Sequence, residues 1–292
     1  MTDTLPFLQV DVFTDRPFLG NPVAVVLDAD GLDGAAMQRI ARWTNLSETT
    51  FVLQPTAAGA DYALRIFTPD RELPFAGHPT LGSARAVIDT GRARPRAGRL
   101  VQQCAAGQVA LRVDDVGGRL YFEVPASRVG PVAEADAAAV ARALGLDGPP
   151  PRLEAIDVGP IWLTAALHDA EQVLSLQPDM AALATISRRL RVTGVTVHAP
   201  RGTRTDGPWS DSPDIAVRSF APAAGVPEDP VCGSGNACVA LQRRASGQRD
   251  DYVAAQGEAI GRAGRIAVAF RNEAIEVGGA TVVCVEGRLR TA

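Results

Sequence analysis

Asp61-Tyr62-Ala63-Leu64-Arg65-Ile66-Phe67-Thr68-Pro69 is written a second time as Asp214-Ile215-Ala216-Val217-Arg218-Ser219-Phe220-Ala221-Pro222, every second residue identical at a spacing of 153 (214 minus 61). The first copy alternates with period two and reads as a strand with one buried face. A glycine turn that opens a helix follows each copy. The turns are Ala76-Gly77-His78-Pro79 and Cys232-Gly233-Ser234-Gly235, and their spacing is 156 (233 minus 77). The likeness continues in Gly107 to Val113 against Gly264 to Phe270, and in Glu123-Val124 against Glu276-Val277. Solenoid repeats have periods of roughly 20 to 50 residues, so a period this long reads as a duplicated domain. Two sibling halves are expected, residues 1–125 with 281–292, and residues 126–280. The simplest use of two helix starts is one active site between the halves, with both N-termini aimed at one anionic ligand.

The fold class expected is α+β. Each half should be a mostly antiparallel, curled, barrel-like sheet around a central helix, with a second helix outside it. Asp33 is placed to cap a helix over 35–43 whose apolar residues Met37, Ile40 and Ala41 share one face. The helix over 79–90 has proline near its start and Gly91 at its end. Its counterpart over 236–245 is apolar on all sides, the pattern of a helix buried all round. The stretch 136–144 should be a helix inside the crossover, and the strand 281–289 should return to the first half.

Composition sets limits. A chain of 292 residues with 46% hydrophobic residues suits two domains with cores of their own. No apolar run approaches the ~20 residues of a membrane helix, so no membrane partner is expected. The first residues have neither a basic nor an apolar export region, and a cytoplasmic location is the expectation. Cys104, Cys232, Cys238 and Cys284 have no metal-ligand spacing and read as reduced thiols. Net charge is −4, and the arginines at 92, 94, 96 and 99 lack interleaved aromatics. They read as a solvated loop, and nucleic acid is not an expected partner.

Several residues carry potential chemistry. Glycine before a helix lets backbone N–H groups approach a ligand, where the peptide dipoles place about half a positive charge. Gly77, Gly233, Ser234 and Gly235 therefore form candidate binding turns for a carboxylate. Glu48, at the edge of a strand, is either a solvent-facing residue or a catalytic carboxyl, and the second half answers it with Gly194. Asp229 is a turn residue or a site residue. His78 is an N-cap, a proton relay or a structural imidazole. Asn21, in Gly20-Asn21-Pro22, makes a turn or meets a ligand. A dinucleotide site is not expected, since Gly233-Ser234-Gly235 lacks the third glycine and the acidic residue of a βαβ unit.

Gly20-Asn21-Pro22, Leu46-Ser47-Glu48-Thr49, Pro74-Phe75-Ala76-Gly77-His78-Pro79 and Glu228-Asp229-Pro230-Val231-Cys232-Gly233-Ser234-Gly235-Asn236 together resemble the PhzF (phenazine biosynthesis) family, within the diaminopimelate epimerase-like fold. The resemblance runs in order along essentially the whole chain. It implies two pseudo-symmetric domains, a homodimer, no cofactor and no metal. By the same resemblance Glu48 is the general acid/base, with His78, Asp229 and Ser234 lining the site. The family's reference activity is isomerisation of a dihydro-hydroxyanthranilate by moving a hydrogen between carbons. A cofactor-independent isomerase of a small carboxylate-bearing substrate is the expectation, worked by one carboxylate of raised pKa.

One departure stands out. Cys232 occupies a position where racemases and epimerases of this fold carry a cysteine, but the matching residue of the first half is Ala76, so a two-thiol pair is broken. Cys232 is either a thiolate favoured by its helix N-terminus or a buried small residue. A racemase using Cys232 and a non-catalytic carboxylate-binding protein are the alternatives.

Overall fold

The computed structural model describes residues 4–114, 118–202 and 212–291; the first three residues, used in the export argument, lie outside them. The chain divides into two compact units, Met1–Glu123 with Gly278–Ala292, and Val124–Val277. The class is α+β, with few helices set against extensive sheet. Among the described residues no helix is long and apolar enough to cross a membrane.

The first unit runs β1 (Thr4–Val12), β2 (Asn21–Val26), α1 (Gly34–Thr44), β3 (Thr49–Leu53), β4 (Tyr62–Phe67), β5 (Glu72–Leu73), α2 (Gly77–Asp89), β6 (Arg99–Cys104), β7 (Gly107–Val113) and β8 (Leu120–Glu123). Its strands pair antiparallel for β1–β2, parallel for β2–β3, antiparallel for β3–β4, parallel for β4–β6 and antiparallel for β6–β7 and β7–β8. The helix α2 touches β1, β2, β3, β4 and β8. That environment explains why nearly every residue from His78 to Val87 is buried. By contrast α1 packs one face, with Met37 and Ala41 against Leu5, Val26, Phe51 and Phe67. Asp33 caps α1 by accepting from the Ala36 N–H at 2.7 Å.

The second unit holds β9 (Arg128–Pro131), α3 (Glu134–Leu144), β10 (Leu153–Asp157), β11 (Ile161–Ala166), α4 (Ala170–Ser175), α5 (Met180–Leu190), β12 (Gly194–Pro200), β13 (Ile215–Ala221), β14 (Val226–Asp229), α6 (Gly233–Ala245), β15 (Tyr252–Gln256) and β16 (Gly264–Arg271); β17 (Ala274–Gly279) ends at the unit boundary. The pairings are antiparallel for β10–β11, parallel for β11–β12, antiparallel for β12–β13, parallel for β13–β15 and antiparallel for β15–β16. The helix α6 touches β10, β11, β12 and β16 and is buried from Gly235 to Gln242. A core of Val140, Leu144, Leu163, Leu183, Val195 and Phe220 joins α3 and α5 to the sheet. The last strand, β18 (Thr281–Arg290), pairs antiparallel with β1 inside the first unit.

The alternating residues of the opening phrase have the same physical work in both units. Asp61 Oδ2 accepts from the Val101 N–H, and Asp214 Oδ2 from the Val253 N–H, each at 2.8 Å. Each aspartate thus fixes the start of a parallel strand pair. Arg65 forks onto both oxygens of Glu72 at 2.7 Å, and Arg218 onto both oxygens of Glu228 at 2.9 and 2.8 Å. Each guanidinium also lies over the phenylalanine two residues on, 5.1 Å from the Phe67 ring centre and 4.9 Å from that of Phe220. The difference lies in burial. Arg65 and Glu72 are 35% and 36% exposed, Arg218 and Glu228 only 6% and 7%.

The pairings are mostly antiparallel, as expected, and the parallel steps β2–β3, β4–β6, β11–β12 and β13–β15 fall where a helical crossover joins the two strands. One element lies outside the expectation. The short helix α4 carries too few residues for a periodic signal, and the sequence reading did not find it; Asp169 caps it by accepting from the Gln172 N–H at 2.8 Å.

Candidate active site

Glu48 is held by what surrounds it in the chain. Asn45 takes a left-handed conformation (φ 55°) and ends α1, its N–H bonding back to Ala41 O at 3.2 Å. Four residues later β3 begins, with Thr49 paired to Ala24 and to Phe67. Thr44 and Thr49 join their hydroxyls at 2.6 Å, closing the loop that carries Glu48. The carboxyl is consequently not a solvent-facing strand residue. Its side chain is 16% exposed, and Oε2, itself buried, lies 3.4 Å from His78 Nε2. Burial raises its pKa to about 7, opposed by a hydrogen bond from Ser47. That value sits where a carboxyl can both take and return a proton near neutrality.

His78 is buried in the first turn of α2. The N-cap reading of His78 is corrected: the helix starts two residues before Pro79, Ala76 is the N-cap, and no side chain caps this end. Gly77 is glycine for a steric reason, since a Cβ there would stand 2.5 Å from Phe122 Cζ. The first unit thus brings Glu48 and His78 together beside an uncapped helix N-terminus. Asn21 does not make a turn; it is the buried first residue of β2, opposite Val12.

In the second unit Asp229 ends β14 opposite Ser219, and its Oδ1 accepts from the Val231 N–H at 3.1 Å. Cys232 is the N-cap of α6, where Sγ accepts from the Gly235 N–H at 3.2 Å and stands 3.5 Å from Ser234 Oγ. Gly233, Ser234 and Gly235 form the first turn. Burial pushes the Cys232 thiol well above its ordinary pKa, and the Asp229 charge adds to this. Ser234 and the Gly235 N–H oppose the shift without overcoming it. Of the two readings left open for Cys232, the buried thiol is the one the geometry favours.

The sequence reading missed two side chains here. Gln256 is buried on β15, where Oε1 accepts from the Cys232 N–H (3.1 Å) and Asn236 Nδ2 (2.8 Å), and Nε2 donates to Asp229 O at 3.0 Å. It ties β14 to the start of α6. Trp162, on β11, donates from Nε1 to Ser234 Oγ at 3.0 Å. A tryptophan in a largely apolar strand was the available signal, because a buried indole N–H needs an acceptor.

The residue answering Glu48 is also explained. Phe67 pairs with Thr49 and Phe220 with Val195, so Gly194 holds in β12 the position Glu48 holds before β3. A Cβ at Gly194 would be 2.0 Å from Phe220 O. No side chain fits there. Among the described residues, no group of three or more His, Cys, Asp and Glu stands close enough to share a metal ion.

The profile of the phenazine biosynthesis-like (PhzC/PhzF) family matches residues 10–287. The chain belongs to the PhzF family. This PhzF protein is 34% identical over 308 residues to trans-2,3-dihydro-3-hydroxyanthranilate isomerase of Pseudomonas aeruginosa, with 97% of this chain and 98% of that one covered. It is 40% identical over 299 residues to antisense-enhancing sequence 1 of Schizosaccharomyces pombe, covering 97% of each. A crystal structure of a PhzF family protein from Bacillus anthracis superposes with a TM-score of 0.83 over 98% of this chain and 99% of that one, at 23% identity. That likeness speaks for the fold alone.

Proposed function

We propose that this PhzF protein is a cofactor-independent isomerase that moves a proton between carbons of a small, cyclic, carboxylate-bearing substrate. Glu48 takes the proton from carbon and, as its acid, returns it to another carbon. His78, beside it, orients the carboxyl and holds the substrate's polar group. The α2 start at Gly77, with Asn21 in the same unit, offers N–H groups to an anionic group of the substrate; in the second unit the α6 start at Gly233, Ser234 and Gly235, with Asp229 beside it, is a carboxylate cradle of the same kind.

The observation that carries this reading is the partly enclosed Glu48 carboxyl, 3.4 Å from His78 and with a pKa of about 7. An exposed carboxylate would ionise near pH 4 and be a weak base toward a C–H bond. The matching order of strand pairings supports descent of the two units from one duplicated domain. The Cys232 racemase loses support on two counts, the raised thiol pKa and Ala76 in place of a second thiol. Homodimer assembly is part of the proposal and is tested by light scattering.

The relatives named as isomerases supply the first substrate to try. The protein is incubated in deuterium oxide with trans-2,3-dihydro-3-hydroxyanthranilate, then with a panel of small cyclic carboxylates, and deuterium on carbon is followed by mass spectrometry and NMR. Incorporation is expected, and Glu48→Gln should abolish it while leaving affinity intact. Exchange that survives in Glu48→Gln defeats the assignment.

A further inference from the structure

Trp162 and Ser234 define the direction of a hydrogen bond. An indole N–H can only donate, so at 3.0 Å the Ser234 oxygen must be the acceptor. A hydroxyl has one proton and two lone pairs, and with one lone pair engaged by the indole its proton turns elsewhere. Among the described residues the partner within reach is Cys232 Sγ at 3.5 Å, a weak acceptor already used by the Gly235 N–H. A sulfur holds that proton loosely, and an anionic oxygen would take it readily, since charge-assisted hydrogen bonds are about twice as strong as neutral ones.

The indole has little freedom to give. Trp162 is 2% exposed and is fixed in register between Ile156 of β10 and Gly194 of β12. In the first unit the corresponding strand position is Val23, one residue before the Ala24 that pairs with Thr49. The helix residue answering Ser234 there is His78. Where the helix offers a serine the strand offers an indole donor, and where it offers histidine the strand offers only an alkyl group.

We propose that Trp162 is a positioning residue that holds the Ser234 hydroxyl as a hydrogen-bond donor for the carboxylate of the ligand. The inference rests on the proposed role of the α6 start as a carboxylate cradle. Trp162 itself makes no contact with the reacting atoms; it removes the alternative in which Ser234 turns its lone pairs toward the anion and repels it.

The probe is anthranilate (2-aminobenzoate), titrated calorimetrically into the wild type, Trp162→Phe, Ser234→Ala and the double variant. Trp162→Phe and Ser234→Ala should each weaken binding about 5- to 10-fold, and the double variant should be no more than about twofold weaker than Ser234→Ala alone. A purely structural indole would give losses that multiply. Ser234→Thr, which keeps the hydroxyl, should restore most of the affinity. Because Trp162→Phe could unfold, the indole ¹⁵N–H resonance of Trp162 in the intact protein is followed as well; it should move on saturation with anthranilate and stay still in Ser234→Ala. Multiplicative losses, an unchanged affinity in Trp162→Phe, or an unmoved resonance while Ser234→Ala weakens binding overturns the inference alone. Unchanged binding in Ser234→Ala overturns the cradle and the inference with it.

Discussion

Glu48 Oε2 and His78 Nε2 face each other at 3.4 Å, one carried on the loop into β3 and the other on the first turn of α2. A carboxyl enclosed in this way answers to pH in two measurable ways.

In catalysis, proton abstraction needs the ionised form. The kcat/KM profile should therefore rise with pH along a limb centred near the Glu48 pKa of about 7, and Glu48→Gln should lower turnover by ~10²- to 10⁴-fold. A limb near pH 4 would show the carboxyl to be solvated. In stability, the folded pKa lies above the unfolded one, so the folded state binds the proton more tightly. The contribution is present in full below about pH 4.5 and is lost as pH rises through about 7. Glu48→Gln should thus melt above the wild type at pH 8 and draw level with it at pH 4, by an amount of up to about 3 kcal/mol.

The thiols should sort by burial. Cys232 and Cys238 are buried with pKa values raised by burial, whereas Cys104 and Cys284 are half-buried, although burial raises that of Cys284 as well. Titration of the native protein at pH 8 with a disulfide reagent should give two reactive thiols, and two more only on denaturation. Cys232→Ala should retain carbon–deuterium exchange. A fast-reacting Cys232, or exchange abolished in Cys232→Ala, would favour thiolate chemistry.

The twin arginine forks should differ in worth. Removing Glu228, as Glu228→Gln, leaves Arg218 charged in a site where it also donates to Leu176 O at 2.8 Å, and a stranded buried charge costs about 3–5 kcal/mol. Glu72→Gln breaks a half-exposed pair and should cost about 0–1 kcal/mol. Denaturant melts of the two variants provide the comparison. Equal losses would mean that burial does not set the value of the pair.

Gly194→Ala places a methyl where Phe220 O already stands at 2.0 Å. The strand pair must part to admit it, and a loss on the order of 3 kcal/mol or more is expected by thermal melt. Ala24→Gly, which removes a buried methyl from β2 of the first unit, serves as the comparison for lost packing without collision.

Much of this architecture was legible because the repeated phrase encodes contacts rather than mere periodicity. Asp61 and Asp214 each hold a strand start, and Arg65 and Arg218 each fork onto a glutamate, so the shared residues fall where hydrogen bonds require them. The helix α1 announced itself through its capping aspartate and apolar face, α2 through proline near its start and glycine after its end, and α6 through small apolar residues on all sides. What stayed hidden depended on distance in sequence. The enclosure of Glu48 comes from α2, about thirty residues on, and its bland reading as a solvent-facing residue was reasonable from local residues alone. Gln256 and Trp162 act on residues 20 to 72 positions away, and nothing in their own neighbourhoods marks the partner. His78 was open to misreading as a cap because proline at position 79 mimics a helix start.

The enclosure of the Glu48 carboxyl also bears on the stereochemistry of the proposed isomerisation. With that one group as the proposed proton carrier, hydrogen lifted from one side of the ring should be set down again on that same side, and label from solvent should enter there. A chiral record of this kind, read by NMR from the configuration of a deuterated product, would trace the placing of a single carboxyl in the structure of a small molecule.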